Sequence, residues 1–137
     1  MTREIVYPVR VEFGDCDPAG IVWFPNFFRW IDAASRHFFI ACGVPPWAET
    51  TTTLGVIGTP LVDTHASFRK TATYGDALEI HTSISEWRAK SFVQRYRVQR
   101  GADLLMECEE VRIFAGKRAD GSMFAHPVPP SIRALCE

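Results

Sequence analysis

The residues best suited to chemistry lie in one short stretch near the N-terminus, FGDCDPAGIVWFPN, residues 13–26. Asp15 and Asp17 stand one residue apart, Pro18 favours an extended backbone at Asp17, and Pro25 suits the first position of a helix. The free N–H groups of that helix would point back towards the loop. A carboxylate facing a helix N-terminus can act on a carbonyl that the helix polarises. The stretch therefore predicts acyl-transfer chemistry without a catalytic triad.

A structural role for the two aspartates is the alternative interpretation. Asp15 and Asp17 can simply stabilise the turn and the start of the helix, and the spacing alone favours this interpretation. Cys16, between the two carboxylates, is interpreted as a packing residue rather than a nucleophile. Gly20 is expected to let the backbone approach another group closely.

A basic segment is the second feature that suits ligand chemistry. It lies in a chain whose net charge is -1, and its members are Arg88, Lys90, Arg95, Arg97 and Arg100, with Ser91 among them. Arg88 and Lys90 fall at a predicted turn, where ligand contacts concentrate, and could bind the phosphate groups of a small molecule. Arg95 and Arg97 fit alternating charges on a solvated strand face equally well.

Other functional classes find little support in the sequence. It lacks G-x-S-x-G, H-E-x-x-H, G-x-G-x-x-G and P-loop motifs, and its four cysteines show no metal-ligand spacing. The balanced charge provides no global field for nucleic acid or an anionic membrane. No segment approaches the ~20 apolar residues of a membrane span. We therefore expect a cytoplasmic protein with free thiols, no metal, and neither nucleic acid nor membrane as partner.

The elements that must position these residues follow from hydrophobic periodicity. Residues 5–13 alternate between apolar and polar, which predicts a strand, and Pro8 assigns it to a sheet edge or a bulge. Residues 25–43 predict a helix that starts at Pro25 and is capped by Gly43. Its core-facing positions are Phe27, Ile31, Ala34, Phe38 and Ala41. Further apolar residues broaden this face, so we expect the helix to be wrapped by a sheet or covered by a partner chain.

The remainder of the chain predicts four consecutive strands. Residues 47–53 form a short helix or an ordered loop, and the strands follow at residues 59–68, 77–87, 91–99 and 104–115. Residues 118–130 are predicted to be loop, and residues 131–136 a last helical turn. One strand, one long helix and then four strands indicate an α+β fold in a single domain, residues 1–137, with an antiparallel sheet.

In these motifs the chain resembles the hot-dog-fold acyl-CoA thioesterases. The resemblance rests on FGDCDPAGIVW, RWIDAASR, CGVPPW, GTP, ASF and EWRAKSFVQR, in this order along nearly the whole chain. It implies a long central helix wrapped by an antiparallel sheet, in homodimers that pair into homotetramers. It also implies that Asp17 is the catalytic carboxylate, as nucleophile or as general base for water, and that the backbone N–H of Phe24 polarises the thioester carbonyl.

The resemblance assigns further residues to the ligand. Arg88, Lys90 and Ser91 match positions near the coenzyme A nucleotide, Trp47, Thr59, Pro60 and Leu61 match positions lining the ligand site, and Asp32 matches a carboxylate near the acyl pocket. Asp32 could accept a phenolic hydroxyl, or could equally pair with Arg36 or Arg29 along the helix.

The expected function is hydrolysis of an aromatic acyl-CoA, in which coenzyme A is part of the substrate and no metal or redox cofactor takes part. Phe24, Phe27 and Phe28 make the helix start more apolar than in family members with tyrosine and histidine there. Short aliphatic or arylacetyl CoA esters are therefore alternative substrates, and a non-catalytic acyl-CoA-binding protein is the alternative from another class. A hot-dog dehydratase would need a histidine, which the loop after Asp17 lacks.

Overall fold

The structure is a computed structural model that describes residues 3–137. The helices are α1 (Pro25–Ala41), α2 (Trp47–Thr53) and α3 (Pro130–Cys136), and a short 3-10 turn spans Phe13–Asp15. The strands are β1 (Ile5–Arg10), β2 (Leu61–Phe68), β3 (Ala77–Trp87), β4 (Ser91–Arg100), β5 (Asp103–Lys117) and β6 (Met123–His126). Strand order is β1-β3-β4-β5-β2, with β6 paired to β5, and every pair is antiparallel. The α+β prediction, with the sheet wrapped around a long central helix as in the hot-dog fold, is confirmed.

Strand β1 has the alternation of half-buried and exposed side chains that its sequence predicts. Its odd positions are half-buried and its even positions exposed, and Pro8, opposite Glu79, lies on an edge strand as predicted. An edge tolerates proline because one side of the strand needs no ladder donor. The strand ends at Arg10 rather than at residue 13, since residues 13–15 turn into the 3-10 segment that leads to the acidic loop.

Helix α1 has the predicted bounds and nearly the predicted face. Pro25 is its first residue, and Gly43, with φ at 88°, follows the C-cap residue Cys42. Four of the five predicted core positions are buried: Phe27, Ile31, Ala34 and Phe38. Ala41 is exposed, because the core-facing side of the last turn is occupied instead by Phe38, Phe39 and the C-cap residue Cys42, all of which are buried.

The core divides into two clusters along this helix. Around its N-terminal half, Phe27, Trp30, Ile31 and Ala34 pack against Tyr96, Leu105 and other residues of the sheet. Around its C-terminal half, Phe38 and Phe39 pack against Phe92, Phe114 and residues of α3. The helix therefore has one end over each cluster, which decides where the candidate site residues fall.

The C-terminal tail differs from the prediction. Residues 123–126, expected to be loop, form β6, which pairs with the end of β5, while the helix predicted for residues 131–136 is confirmed as α3. The β6 strand depends on a packing contact, since the ring of Phe124 lies over Gly116, where an added Cβ would approach the ring to 2.4 Å. A four-residue strand held by such a contact carries little periodic signal.

Candidate active site

The acidic loop is a tight hairpin between the 3-10 turn and α1. Cys16 and Val22 form an isolated antiparallel bridge, and the Asp17 N–H donates to the Ile21 carbonyl at 2.8 Å. The Gly20 N–H donates in turn to the Asp17 carbonyl at 2.9 Å. Val22 is buried, and Cys16 packs against the N-terminal core cluster, as its interpretation as a packing residue predicts. The hairpin therefore holds Asp17 on a fixed backbone.

Asp15 supports the loop. Its Oδ2 accepts the backbone N–H of Glu12 at 2.8 Å, and its Oδ1 accepts a hydrogen bond from Arg29 at 2.9 Å. Its carbonyl accepts the backbone N–H of Trp23 at 2.9 Å and the amide of Asn26 at 2.8 Å. The structural interpretation is thus correct for Asp15, because both carboxylate oxygens are occupied by the protein.

Asp17 differs from Asp15 in how its oxygens are used. Its Oδ1 accepts the Ala19 N–H at 2.9 Å, which closes the turn. Its Oδ2 has no hydrogen-bond partner among residues 3–137, and the side chain is half-buried. One oxygen therefore serves the turn, while the other can act on a ligand.

Gly20 has a different role from the predicted one. A Cβ built at this position meets no atom within 4 Å, so no close approach within the chain requires glycine there. Its φ of 83° lies in the left-handed region, which side chains other than that of glycine disfavour. The residue is therefore required by the turn that carries Asp17.

The backbone N–H of Phe24 lies beside this loop at the start of α1. The hydrogen bond from Trp23 to Asp15 folds the chain back, so Phe24, the next residue and the N-cap of the helix, follows directly alongside the acidic hairpin. Within the described part of the chain its N–H has no acceptor. An unpaired N–H at the positive end of a 17-residue helix can polarise a carbonyl oxygen.

An apolar groove opens next to Phe24. It has a volume of about 290 Å³, and its lining includes Ile21, Phe24, Phe27 and Phe68, with Arg69 and Lys70 at its margin. Phe68 is 48% exposed and stands edge-on to Phe27, with ring centroids 5.6 Å apart. Such a surface can accept an aromatic ring edge to face.

Asp32 and residue Thr59 are brought together by a residue that the sequence analysis missed. Arg112, on β5, donates from Nη2 to Asp32 Oδ1 at 3.0 Å and from Nη1 to the Thr59 carbonyl at 2.9 Å. Both predicted pairings of Asp32 are wrong: Arg29 pairs with Asp15, and Arg36 forms no ion pair with Asp32 in residues 3–137. Arg112 prevails because its side chain rises from the sheet beneath the helix.

A buried acid holds Arg112 in place. Glu110 Oε1 accepts from Arg112 Nε at 3.0 Å and Oε2 from Nη2 at 3.2 Å, and Tyr96 donates its hydroxyl to Oε1 at 2.6 Å. Burial and then the charge of Glu110 raise the pKa of Tyr96 well above its usual value, so the phenol stays protonated and donates. Burial alone would lower the pKa of Arg112, but the hydrogen bonds and charge of Glu110 outweigh it and raise that pKa.

The signal for this network was present in the alternation of β5. Between residues 106 and 114 the even-numbered positions of that strand are buried: Met106, Cys108, Glu110, Arg112 and Phe114. Two opposite charges two residues apart on a core-facing side are rare unless they are paired, because an isolated buried charge is costly. Their position on the core-facing side of the strand, rather than their charge, identifies Glu110 and Arg112 as a buried pair.

The remaining predicted ligand residues lie at the other end of α1. Arg88 and Lys90 lie in the exposed turn between β3 and β4, and the half-buried Ser91 is the first residue of β4. The Arg88 N–H donates to the Ser91 carbonyl at 2.8 Å, and the Arg88 side chain pairs with Glu86. Trp47 packs on Phe39 near the helix C-terminus, with centroids 5.5 Å apart. Helix α1 has 17 residues and is about 25 Å long, so these residues lie far from Asp17 within one chain.

Two other arginines of the basic segment are accounted for by ion pairs. Arg95 pairs with Glu109 at 3.1 Å and Arg97 with Glu4 at 3.6 Å on the face of the sheet turned away from α1. This agrees with their interpretation as solvated strand residues.

Residues 3–137 contain no group of three His, Cys, Asp or Glu side chains arranged to hold a metal ion. None of the helices within this range has the length and apolar character required to cross a membrane.

Comparisons with known proteins agree with this geometry. A family model described as the thioesterase-like superfamily matches residues 11–134. A 4-hydroxybenzoyl-CoA thioesterase from Pseudomonas sp. (strain CBS-3) is 54% identical over 142 residues, which cover 99% of this chain and 99% of that protein.

Two solved structures are also similar. The crystal structure of a 4-hydroxybenzoyl-CoA thioesterase mutant, D17N, complexed with 4-hydroxybenzoyl-CoA has a TM-score of 0.92 at 50% identity and covers 98% of this chain and 99% of that chain. The structure of a gentisyl-coenzyme A thioesterase has a TM-score of 0.80 at 31% identity and covers 96% of this chain and 98% of that chain.

Proposed function

The chain belongs to the thioesterase-like superfamily, and on that premise we propose that it hydrolyses an aromatic acyl-CoA thioester to the carboxylic acid and coenzyme A. The observation that carries the proposal is the unpaired N–H of Phe24 at the start of α1, next to a hairpin in which Asp17 has a free carboxylate oxygen. The acyl groups named for the similar proteins, 4-hydroxybenzoyl and gentisyl, support an aromatic substrate. The groove lined by Phe24, Phe27 and Phe68 fits the ring of such a group.

The chemistry needs few protein groups. The Phe24 N–H donates to the thioester carbonyl oxygen, and the helix N-terminus stabilises the negative charge that develops there, a contribution of ~3 to 4 kcal/mol for one well-placed donor. Asp17 either attacks the carbonyl carbon, giving a mixed anhydride that water hydrolyses, or removes a proton from water as it attacks. In both routes the carbon–sulfur bond breaks and a proton reaches the thiolate. The acyl group gains one oxygen, either directly from water or from Asp17, whose carboxylate is then restored by water.

The reaction as written consumes water alone, so we propose that the enzyme needs no metal or redox cofactor. Coenzyme A belongs to the substrate. A thiolate whose conjugate acid resembles cysteine, with a pKa near ~8.5, also leaves with little general-acid help. We propose further that the enzyme acts in the cytoplasm.

We infer that each active site is completed by a second copy of the chain. Arg88, Lys90, Ser91 and Trp47 lie about one helix length from Asp17, so one chain does not gather them around one acyl group. Strand β2 offers the means of assembly, since it is an edge strand whose first five residues are exposed. An unpaired edge of this length is a template for pairing with another chain.

Antiparallel pairing of two β2 strands would bring the separated residues together. A two-fold axis through β2 reverses the direction of α1 in the second copy, so its Thr59, Pro60 and Leu61 approach Phe68 and the groove of the first. Asp32 of the second copy follows, because Arg112 ties it to Thr59. Trp47 and the turn at residues 88–91 of the second copy then lie on the same side, where the basic turn can bind the nucleotide phosphates. Pairing of two such dimers would give the homotetramer.

Thiol release tests the proposed reaction. We expect the protein to release free thiol from benzoyl-CoA and 4-hydroxybenzoyl-CoA with a higher kcat/KM than from phenylacetyl-CoA or short aliphatic esters. The methylene of phenylacetyl-CoA moves the ring away from the position that a ring bonded to the thioester carbonyl occupies, and an aliphatic chain offers no ring for edge-to-face contact. A higher kcat/KM for an aliphatic ester would show that the proposed aromatic substrate class is wrong. Binding of every ester without thiol release would instead identify an acyl-CoA-binding protein.

Mixing a variant without turnover, Asp17→Asn, with a variant of weakened coenzyme A binding, R88A/K90A, tests the shared site. In a mixed dimer, one site has lost both contributions and the other has kept both. Random pairing makes half of the dimers mixed, so at limiting substrate we expect about a quarter of the wild-type activity in addition to the residual activity of the R88A/K90A dimers. Absence of recovery, with exchange of subunits verified by mass, would place each site within one chain.

Single-turnover hydrolysis in water enriched in oxygen-18 tests the route of attack. Label that enters the carboxylate of Asp17 during that turnover identifies the mixed anhydride, because water has then attacked the Asp17 carbonyl and the released acid has kept an Asp17 oxygen. Label confined to the released acid shows that water attacks the acyl carbonyl, which is the outcome expected when Asp17 is the general base.

A further inference from the structure

The segment between β2 and β3 supports the acidic hairpin from outside. The Val22 N–H donates to the Ala72 carbonyl at 2.9 Å, which joins one arm of the hairpin to this segment. The Thr73 hydroxyl donates to the Gly20 carbonyl at 2.7 Å, which joins the turn of the hairpin to the same segment. Thr73 provides the only hydrogen bond between residues 18–20 and the described chain outside the hairpin.

Gly20 is the point at which the turn needs such a contact. Its φ of 83° is open to glycine and disfavoured for other residues, and glycine also has the greatest backbone freedom. The Gly20 N–H donates to the Asp17 carbonyl, and the carbonyl of the next residue, Ile21, accepts the Asp17 N–H. The Thr73 bond to the Gly20 carbonyl therefore restrains a rotation that would break both backbone contacts of Asp17.

Thr73 is itself held by a charged pair. Asp76 Oδ2 accepts the Thr73 N–H at 3.0 Å and an N–H from Arg100 Nη1 at 3.0 Å. Arg100 Nη1 also donates to the Thr71 carbonyl at 3.1 Å. The Thr73 N–H lowers the pKa of Asp76 most, and Arg100 lowers it further against the effect of burial, so this carboxylate stays ionised at neutral pH.

Backbone hydrogen bonds hold the same segment against the end of β1. The Val11 N–H donates to the Asp76 carbonyl at 3.0 Å, and the Gly75 N–H donates to the Val11 carbonyl at 2.8 Å. Val11 is fully buried, whereas Thr73 is exposed. Loss of the Thr73 hydroxyl therefore removes the contact with Gly20 and leaves the core intact.

We propose that Thr73 is a positioning residue of the active site, whose hydroxyl holds the turn at Gly20 so that the free oxygen of Asp17 keeps its place beside the thioester. Asp76 and Arg100 contribute by fixing the backbone of Thr73. The inference rests on the proposed thioesterase function, and Thr73 acts through Asp17 rather than on the substrate.

Thr73→Val removes the hydroxyl and keeps the shape of the side chain. We expect kcat to fall by about 2- to 10-fold, the effect of one hydrogen bond, with KM within about twofold of wild type because the groove keeps its walls. Thr73→Ser keeps the hydroxyl and should keep the wild-type kcat. Thr52→Val is the matched control: it removes a hydroxyl that donates to a carbonyl at 2.8 Å in α2, and it should change neither constant.

Hydrogen exchange measures the hairpin without any substrate. In Thr73→Val, the amides of residues 16–22 should exchange faster, whereas those of β4 should keep the wild-type rate. A merely structural role would instead speed exchange in both segments. That result would overturn the inference, as would unchanged exchange in the hairpin or an equal loss of kcat in Thr73→Ser.

Arg100→Gln tests the support behind Thr73. It should lower kcat less than Thr73→Val does, since the hydroxyl remains, and the T73V/R100Q variant should lose no more than Thr73→Val alone, because both changes act through one contact. Arg95→Gln, which breaks an exposed ion pair elsewhere on β4, should leave kcat unchanged. Additive losses in the double variant would contradict the role given to Arg100.

Wild-type activity separates this inference from the function on which it rests. If the wild-type protein hydrolyses no acyl-CoA ester, the proposed function fails, while hydrogen exchange still decides whether Thr73 holds the hairpin. If the wild-type protein is active and Thr73→Val has the same kcat, only the further inference fails.

Discussion

The two ends of helix α1 use their polar groups in opposite ways. At the C-terminal end, the N–H groups of Cys42 and Val44 donate to the carbonyls of Phe38 and Phe39 at 3.0 and 2.9 Å. Aromatic side chains close that end: Phe39 packs edge-on to the fully buried Phe92, with centroids 5.7 Å apart. The backbone groups that end the helix are therefore hydrogen-bonded within the chain, and the aromatic side chains beneath them are packed as a core.

The N-terminal end of α1 has hydrogen-bonding groups that the described residues do not use. Phe24 offers an N–H, and Asp17 offers an oxygen, without partners in the described residues. Trp23, Phe24 and Phe68 expose 56%, 60% and 48% of their surfaces. Because buried polar groups and large apolar side chains are normally satisfied within a protein, the unsatisfied end is the one built for a ligand or a partner chain.

Separate replacement of Asp17 and of Asp15 by asparagine compares a carboxylate that has a free oxygen with one whose oxygens are both hydrogen-bonded. Asp17→Asn should lower kcat by about 10²- to 10⁴-fold while the protein stays folded, because the free oxygen loses its charge. Asp15→Asn removes a carboxylate already bound to Glu12 and Arg29, so it should lower stability by ~1 kcal/mol and kcat far less. Thiol release and urea unfolding measure the two effects. Equal losses of kcat in both variants would show that the loop, and not Asp17, is what matters.

Phenylalanine substitutions extend the contrast to stability. Phe92→Ala should lower the free energy of unfolding by ~3 to 5 kcal/mol, because the side chain is fully buried. Phe24→Ala should change it by less than about 0.5 kcal/mol, because the side chain is largely exposed. The second variant should raise KM through loss of a groove wall but keep most of kcat, since the backbone donor remains. A collapse of kcat in Phe24→Ala would contradict the backbone role.

Gly20→Ala tests whether the hairpin itself must be held. Alanine at a φ of 83° costs about 1 to 2 kcal/mol, and the added methyl group meets no neighbour, so strain is its sole defect. We expect a fall in stability of that size and a lower kcat, as Asp17 is displaced. Unchanged kcat at reduced stability would mean that Asp17 keeps its place without the turn.

The sequence predicted those parts of the molecule that depend on local patterns. The alternation in β1, the proline start and glycine end of α1 and the turn chemistry at Asp15 all act over a few residues, and the structure agrees with each. The strand at residues 123–126 escaped prediction because it is too short to show a period and is held by Phe124 packing over its cross-strand partner Gly116. Arg112 escaped for a related reason: a charged residue in a strand suggests a solvated face unless the partner on the opposing helix is known.

The positions of the site residues illustrate the same limit. Spacing and resemblance named Asp17 and Lys90 as parts of one site, but neither states which copy of the chain supplies each residue. Only the length of α1, which separates them, raises that question. The sequence therefore predicted an oligomer through its resemblance, but not how the site residues would be divided between the copies.

Replacement of Lys90 should have the smallest effect of these variants, and that effect should be limited to substrates that carry the nucleotide. It lies exposed in the β3–β4 turn and has no ion pair among residues 3–137, whereas Arg88 beside it pairs with Glu86. Lys90→Ala should therefore raise KM for acyl-CoA by a few-fold, about 1 kcal/mol or less, and leave kcat unchanged. Because an exposed charge acts on phosphate through solvent, the effect should shrink as ionic strength rises. Acyl-pantetheine, which lacks the nucleotide, should show no change in KM. A change of equal size with acyl-pantetheine would mean that the turn acts on the acyl end, and the two ends of α1 would then not divide their work between catalysis and binding of the nucleotide.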